Sequence, residues 1–495
     1  MSVALPRPVD VRTALRSPRL LRTEVFGGLV VALALIPEAI SFSVIAGVDP
    51  RVGLFASVTM AVTISIVGGR PAMISAATGA VALVVAPVAK EHGVDYLVAT
   101  VLLAGLFQIV LGAAQIGRLM RFVPRSVMVG FVNALGILLA VAQWDNLHDV
   151  PWEVYPLAVA TIAIIWGFPK VSRIVPAPLV AIVALTAVAW AGGIDVPTVS
   201  DKGKLPDSLP PFGLPDVPFS WQTLETIAPY ALGMALVGLM ESLMTAKFVD
   251  DLTDTHSDKN RESWGQGVAN VVTGLFGGMG GCAMIGQTMI NVRQSGARTR
   301  ISTFLAGGFL LVLLLALGDV VGRIPMAALA GVMIMVAVGT FDWHSLRTLR
   351  RMPKSETTVM VATVIVVVAT RNLAIGVVVG VIVAALLFAR RVAHLADVDR
   401  TLVEDAGGTY ARYTVTGELF FASSNDFYSQ FDYAEDPERV VVDFAASHIW
   451  DASTVAALDA VTTKYARRGV EVEVHGLNEA SRAMYERLTG RLASH

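Results

Sequence analysis

Hydrophobic residues in this chain come in blocks. Runs such as LAGGFLLVLLLALG and TTVMVATVIVVVAT are apolar on every side. A helix on a soluble surface keeps a polar stripe, so each such run predicts a membrane-spanning helix. Fourteen blocks are read, over 25–46, 52–67, 74–89, 94–116, 123–143, 152–168, 174–193, 224–248, 264–280, 284–294, 301–318, 324–340, 355–370 and 372–394. Between the seventh and the eighth lies IDVPTVSDKGKLPDSLPPFGLPDVPFS, whose density of Pro, Gly and Asp marks a linker. Seven blocks precede it and seven follow. An odd number of spans per half makes the halves enter the bilayer with opposite orientation, which is the arithmetic of an inverted repeat.

The third and tenth blocks, GGRPAMISAATGAVALVVAPVAKE and GGMGGCAMIGQTMINVRQSG, depart from the others. Each opens on glycines, passes a short apolar stretch and a cluster of small and polar residues (Ser75 to Gly79; Gly286 to Thr288), then becomes a short helical run. The apolar part of the tenth, Cys282 to Val292, is too short to cross a bilayer. Interrupted segments at matching positions of two repeats point to a transporter's binding site, because unpaired backbone at membrane depth is tolerated only where it lines a cavity or is buried in protein. The expectation is a half-helix in each repeat, preceded by extended chain, with its N-terminus near the bilayer centre. Such an end carries unsatisfied N–H groups and about half a positive charge. Two of them facing each other attract an anion without any lysine or arginine. The residues expected to line this site are Ala76, Ala77, Thr78 and Gly79 from the third block, and Gly286, Gln287, Thr288 and Asn291 from the tenth. Small side chains let backbone amides reach the ligand, and Gln287 and Thr288 add neutral donors. The structural alternative is an ordinary short span with a glycine packing face.

Two carboxylates fall deep inside blocks: Glu38 in LALIPEAISFSVIAG and Glu241 in ALGMALVGLMESLMTAKFV. Charge in hydrocarbon is costly, so such residues face the protein interior and mark pathways or proton relays. Both sit in the first block of their half. Glu241 is the candidate for proton or sodium coupling, with Thr245 at i+4 on the same face. Glu38 is a candidate to touch substrate, although Pro37 beside it frees backbone that Glu38 can satisfy instead. An acid beside an anion site is no contradiction, since a buried carboxyl that takes up a proton no longer repels the anion. Proton–anion symport follows, with sodium held by Glu241 as the competing solution. Gln108, Asn133 and Gln143 are expected to hydrogen-bond between helices, Arg70 to snorkel toward an interface, and Cys282 to pack as a small apolar residue.

Charge orients the chain. With an even number of spans and the N-terminus inside, Arg12, Arg16, Arg19, Arg22, Arg118, Arg121, Arg125, Lys170, Arg173, Arg293, Arg298, Arg300, Arg347, Arg350, Arg351, Lys354, Arg390 and Arg391 all fall on the cytoplasmic side, as the positive-inside rule asks. The opposite face receives the acidic QWDNLHDVPWE and scattered cations such as Arg51, Lys90, Arg323 and Arg371. The expected divisions are a cytoplasmic arm (1–24), a first membrane repeat (25–193), an extracytoplasmic linker (194–223), a second repeat (224–396) and a cytoplasmic domain (397–495). In that last part, strand-like YARYTVTGELFF, RVVVDF and VEVEVHG alternate with helical SSNDFYSQFDY, STVAALDAVTTKYARRG and NEASRAMYERLTG, which argues for a small α/β domain with a mixed sheet. Its expected role is regulatory or dimer-stabilising.

Composition fits a membrane protein. The 495 residues are 54% hydrophobic with a mean hydropathy of +0.63, above the soluble range. A net charge of -2 points away from a nucleic-acid partner. The one cysteine, Cys282, permits no internal disulfide. The first residues show no signal-peptide pattern. The tail holds no metal spacing, P-loop or triad. Nothing nucleophilic or metal-binding accompanies the two buried acids, so neither an enzyme nor a cofactor is expected.

The runs GGLVVALALIPEAISFSVIAGVDPRVGLFAS, GLMESLMTAKFVDDLTDTHSDKNRESWGQGVANVVTGLFGG and NVRQSGARTRIS resemble the SulP anion-permease family, the prokaryotic relatives of solute carrier family 26, and the tail resembles a STAS domain. The resemblance covers nearly the whole chain. It implies an all-α polytopic membrane protein of 14 segments in a 7+7 inverted repeat, divided into core and gate domains, plus a cytoplasmic α/β STAS domain. It further implies short strands before the third and tenth helices, a site between their ends with residues from segments one and eight, an elevator-like shift of core against gate, and a homodimer in the inner membrane with both termini cytoplasmic. Family substrates include sulphate, bicarbonate, halides, oxalate and dicarboxylates. Many relatives carry an arginine or a serine pair where this chain has Gly286 and Gln287, and the missing fixed charge favours coupling to a proton or sodium over simple exchange. An uncoupled anion exchanger or channel of the same fold is the alternative. Ser453 in WDASTVAAL matches a position phosphorylated in soluble STAS relatives, but Thr454 replaces the usual glycine, so phosphorylation is not expected.

Overall fold

A computed structural model describes residues 10–489 apart from 116, 118–122, 172–174, 204, 206–207, 211, 350, 394–395 and 406–407. Arg118, Arg121, Arg173 and Arg350, assigned above to the cytoplasmic face, lie outside the described residues. The first half runs α1 (Val11–Arg16), α2 (Pro18–Ala46), α3 (Pro50–Val67), α4 (Gly79–His92), α5 (Val94–Ala113), α6 (Arg125–Val141), α7 (Trp144–Leu147), α8 (Val154–Gly167) and α9 (Ala177–Ala191). The second runs α10 (Trp221–Thr253), α11 (Lys259–Leu275), α12 (Ile285–Met289), α13 (Arg300–Gly322), α14 (Met326–Thr340), α15 (Trp343–Thr348), α16 (Lys354–Thr370) and α17 (Leu373–Ala393). Each of the fourteen apolar blocks falls on one of these helices, and α1, α7 and α15 are short additions.

The third and tenth blocks are broken as expected. Strand β1 (Ser75–Ala76) precedes α4, strand β2 (Cys282–Ala283) precedes α12, and the two strands pair antiparallel with Ser75 opposite Ala283 and Ala76 opposite Cys282. Helix α12 is short and continues as a π-helical turn over Ile290–Gln294. Around this crossing α2, α3, α4, α5, α10, α11 and α13 pack on one another, while α6, α8, α9, α14 and α16 form a second group. The groups touch where α2 meets α14 and α9, and where α4 meets α6. Glycine sets the closest crossing: a Cβ on Gly105 would lie 2.7 Å from the Gly267 carbonyl oxygen, and one on Gly267 2.5 Å from that of Gly105. Side-chain-free contact of this kind lets α5 and α11 approach where no hydrophobic gradient drives them together.

The chain divides into two compact units near Val381 and Ile382. The smaller carries β3 (Asp397–Asp405), β4 (Gly408–Leu419), α18 (Ser424–Ser429), β5 (Arg439–Ile449), α19 (Ala452–Ala466), β6 (Glu471–His475) and α20 (Glu479–Leu488). Its sheet order is β3-β4-β5-β6, with an antiparallel β3–β4 hairpin and parallel β4–β5 and β5–β6 pairs. Tyr413, Val440, Val442, Phe444, Val455, Leu458 and Tyr465 are buried between sheet and helices. Strand β3 was not anticipated from DVDRTLVED. It is mostly exposed, so it needs no apolar alternation; backbone pairing with β4 holds it, helped by the Arg400–Asp436 and Arg439–Asp405 ion pairs.

Candidate functional site

Side chains from three helices pin the β1–β2 crossing. Met284 N–H donates to the Ile74 carbonyl at 2.9 Å. Asn270 of α11 grips Gly281 twice: its Oδ1 accepts the Gly281 N–H at 2.9 Å and its Nδ2 donates to the Gly281 carbonyl at 3.0 Å. Ser242 of α10 accepts Ala283 N–H at 3.0 Å, Ser57 of α3 accepts Ala77 N–H at 3.3 Å, and Gln266 of α11 donates to Ser75 Oγ at 2.7 Å. Extended backbone at membrane depth thus finds partners within the protein. Gly281 has no room for a side chain, since a Cβ there would lie 2.0 Å from the Ala76 carbonyl oxygen.

Helices α4 and α12 start from this crossing. Thr78 caps α4, its Oγ1 accepting Val81 N–H at 3.3 Å. The amides of Thr78, Gly79 and Ala80, and those of Ile285, Gly286 and Gln287, find no acceptor among the described residues. These are the donors a helix start leaves free. Gly286 is exposed, and a Cβ added to it meets nothing within 4 Å, so open space reaches its backbone. Gly79 is covered instead: a Cβ there would lie 2.6 Å from Leu139 Cδ2 and 2.9 Å from Phe42 Cε1.

The two acids take different partners. Glu38 of α2 accepts Gln287 Nε2 at 2.7 Å, and the buried Gln287 keeps its Oε1 unpaired. Glu241 of α10 accepts the Cys282 thiol at Oε2 at 3.0 Å, and the same sulfur lies 3.1 Å from Thr78 Oγ1. A chain Thr78–Cys282–Glu241 therefore joins the cap of α4 to the acid of α10. Cys282 is buried in the apolar core as expected, and its thiol in addition lies between two polar groups. Thr245 directs its hydroxyl to the Glu241 carbonyl at 2.7 Å rather than to the carboxylate.

The remaining expected residues belong to the scaffold beneath. Ala76 lies in the strand pair and Ala77 gives its amide to Ser57. Thr288 Oγ1 accepts Ile74 N–H at 3.0 Å. Asn291 donates to the Ala72 carbonyl at 2.8 Å and to Ser302 Oγ at 2.9 Å. Gln108 and Asn133 bond between helices as expected, to Asn270 and Ser345. Gln143, between α6 and α7, donates to the Leu139 carbonyl of α6 and accepts from Asn146 of α7. Arg70 does not snorkel: it is buried against Asp250 at 2.8 Å, Thr255 at 2.7 Å and Thr253 at 2.6 Å.

Two further buried carboxylates went unread in the sequence. Glu24 accepts the amides of Arg298 at 2.7 Å, Thr299 at 3.0 Å and Ser302 at 3.1 Å, acting as a cap delivered from α2 to the start of α13. Glu262 accepts the amides of Gly69 at 2.7 Å and Arg70 at 3.0 Å. Acids favour amide-rich helix starts, but the amides here are remote in sequence. Arg261 and Arg300 cover the last carbonyls of α3, from Ser65 to Gly68. The polar runs NRESWGQGVAN and SGARTRIS thus hold the crossing and its flanks in place.

Comparison with known proteins places this geometry. The sequence pattern of the sulfate permease family matches residues 21–154 and 143–363, and that of the STAS domain matches 403–489. The chain is similar to a putative sulfate transporter, YbaR, of Bacillus subtilis, with 50% identity over 94% of this chain and 97% of the other. It is similar to the bicarbonate transporter BicA of a Picosynechococcus species, with 30% identity over 78% of this chain and 74% of the other. Among solved structures, the transmembrane domain of a cyanobacterial bicarbonate transporter BicA matches with a TM-score of 0.64 at 26% identity, over 76% of this chain and 98% of that one. The murine anion transporter Slc26a9 in an inward-facing state matches with a TM-score of 0.80, over 94% of this chain and 87% of that one; at 15% identity this is a likeness of fold.

Proposed function

The chain belongs to the sulfate permease family of multi-pass membrane transporters and ends in a STAS domain, and on that premise we propose that it is a secondary active transporter carrying a small oxyanion across the inner membrane together with a proton or a sodium ion. The observation that carries the reading is the Thr78–Cys282–Glu241 chain, which ties the free amides of α4 to an acid 3.0 Å from the linking thiol. No arginine or lysine stands among the residues that offer donors there. The anion is held by the amides of Thr78, Gly79, Gly286 and Gln287 and by the Gln287 side chain, which Glu38 orients. Glu241 binds the coupling cation and removes the repulsion that its own charge would exert on the anion. The amide donors recognise charge and size rather than one chemical species, so sulphate and bicarbonate, the cargoes named for relatives, are the first candidates. The helices packed around the crossing, the core, move as a body against the second group of α6, α8, α9, α14 and α16, the gate, in the elevator-like motion that alternates access, in a homodimer with both termini cytoplasmic.

The test is uptake of labelled sulphate and bicarbonate into proteoliposomes under an imposed proton or sodium gradient. Accumulation of either anion above equilibrium supports the reading. Equilibration alone, or channel-like currents with no dependence on either gradient, overturns coupling in favour of an uncoupled exchanger or channel.

A further inference from the structure

A cleft of about 680 Å³ opens between the ends of α2, α4 and α6 and the α16–α17 turn, further along the helices α2 and α4 that carry Glu38 and Gly79. Its walls carry Lys90, Lys202 and Arg371 and one carboxylate, Asp49. Asp49 is paired at 3.5 Å with Arg51. Among the described residues none of the three cations has an ion-pair partner, and all three are exposed. Three cations thus stand in the cleft with Asp49 and with Asp201 beside Lys202, and an excess of one sign in a low-dielectric cleft focuses potential and raises the local concentration of the opposite ion.

The backbone is shaped to present these charges. Gly47, at φ +77°, lies under the stem of Lys90, and a Cβ there would come within 2.9 Å of Lys90 Cγ. Gly203, at φ +145°, packs against Asp49, where a Cβ would meet Oδ1 at 2.1 Å, and so seats Lys202 beside it. Arg371 itself adopts φ +52°, a left-handed conformation uncommon outside glycine and asparagine. Local strain of this kind persists only where the surroundings enforce it.

We infer that this cleft is an outer anion-collecting site, in which Lys90, Lys202 and Arg371 concentrate small inorganic anions, dianions most strongly, at the mouth of the pathway. It lies between the two helix groups, since α2 and α4 belong to one and α6 and α16 to the other. The collecting step rests on the transport reading above and on the orientation that puts the arginine-rich helix ends in the cytoplasm. The charge cluster itself rests on neither.

The cleft also holds an exposed tryptophan, Trp144, which permits a local test on the full-length protein in detergent. Quenching by iodide, an anion, is compared with quenching by neutral acrylamide, and the Trp144 contribution is isolated by subtraction of W144F. The iodide-to-acrylamide ratio is expected to fall severalfold in the triple variant K90Q/K202Q/R371Q and to recover in K90R/K202R/R371K. In proteoliposomes the triple neutral variant should raise the external KM for sulphate about fivefold at low salt, less at high salt, with kcat unchanged. An unchanged quenching ratio overturns the proposal, as does an unchanged KM in a preparation whose wild type transports. If the wild type transports none of the anions yet its ratio falls on neutralisation, the collecting cleft stands and the transport reading fails.

Discussion

Glu241→Gln separates coupling from transport. The substitution preserves the shape of the side chain and leaves an amide oxygen to accept the Cys282 thiol, now at 3.0 Å from Oε2. One weak hydrogen bond is altered and no charge is left buried without a partner, so the loss of stability is about 1 kcal/mol or less. The group that binds the cation is gone. For symport without net charge movement, a gradient of one pH unit supplies about 1.4 kcal/mol per proton and sustains about tenfold accumulation of a monoanion with one proton, or about a hundredfold of sulphate with two. In the variant that ratio should fall to one, while exchange of internal for external anion continues. The assay is steady-state accumulation of labelled sulphate or bicarbonate in proteoliposomes, run once with a pH gradient and once with a sodium gradient, with exchange measured in the same vesicles. Should the variant still accumulate tenfold under either gradient, Glu241 does not carry the coupling ion and the reasoning from the thiol–carboxylate chain is wrong.

Glu24→Ala leaves the amides of Arg298, Thr299 and Ser302 without their carboxylate, and should lower stability by about 3 kcal/mol, read as a falling Tm of the detergent-solubilised protein. Gly281→Ala should abolish folding, because its Cβ meets the Ala76 carbonyl oxygen at 2.0 Å, whereas Gly286→Ala, with nothing within 4 Å, should fold normally and raise KM by shielding a free amide; uptake kinetics and size-exclusion profiles distinguish the two. In the STAS domain, the Arg412 guanidinium, helped by the Ala445 amide, holds the Asp443 carboxyl below its usual range. A depressed carboxyl stabilises the fold above its unfolded value of about 3.9 and ceases to as the pH drops through the folded value. Protection factors for hydrogen exchange at β5 in the full chain, which allow for the slower intrinsic exchange in acid, should therefore fall as the pH is lowered, and Asp443→Asn should be less stable at neutral pH and lose that acid dependence.

Much of this architecture was legible as pattern. Blocks apolar on all faces gave the spans, and the glycine-led breaks at the third and tenth blocks fell where β1 and β2 form. The identity of the partners was not legible. Glu24 to Ser302 spans 278 residues, and Asn270 reaches a glycine of the crossing; in sequence both polar residues look like ordinary interruptions of helices. Thr288 and Asn291 were expected at the ligand because they lie beside Gln287, but a helix distributes neighbours around its axis, and they turn to Ile74 and Ala72 instead. The polar contacts of Cys282 were equally hidden: its neighbours in sequence and its strand partner Ala76 are small or apolar, while its thiol meets Thr78 at the start of α4 and Glu241 on α10.

The scaffold contacts would let the proposed site, without fixed cations, still be selective. Amides bind an anion well only if they are held, because a mobile helix start rearranges around any charge. Here Asn270, Ser242, Ser57 and Gln266 fix the strands on which both helix starts depend. The helix ends are therefore placed before the anion arrives. A lysine or arginine would attract anions more strongly, yet its charge would persist whether or not a cation were bound, and release would become as unfavourable as capture is favourable. An acid reached through a thiol gives a charge that can be switched. In the proposed cycle, Glu241 neutralised by its ion would leave the amides to hold the anion alone; when that ion left, the carboxylate would repel the anion from the same site. Coupling then follows from the linkage between one proton or sodium ion and one anion, with no demand on the rest of the fold beyond rigidity at the crossing.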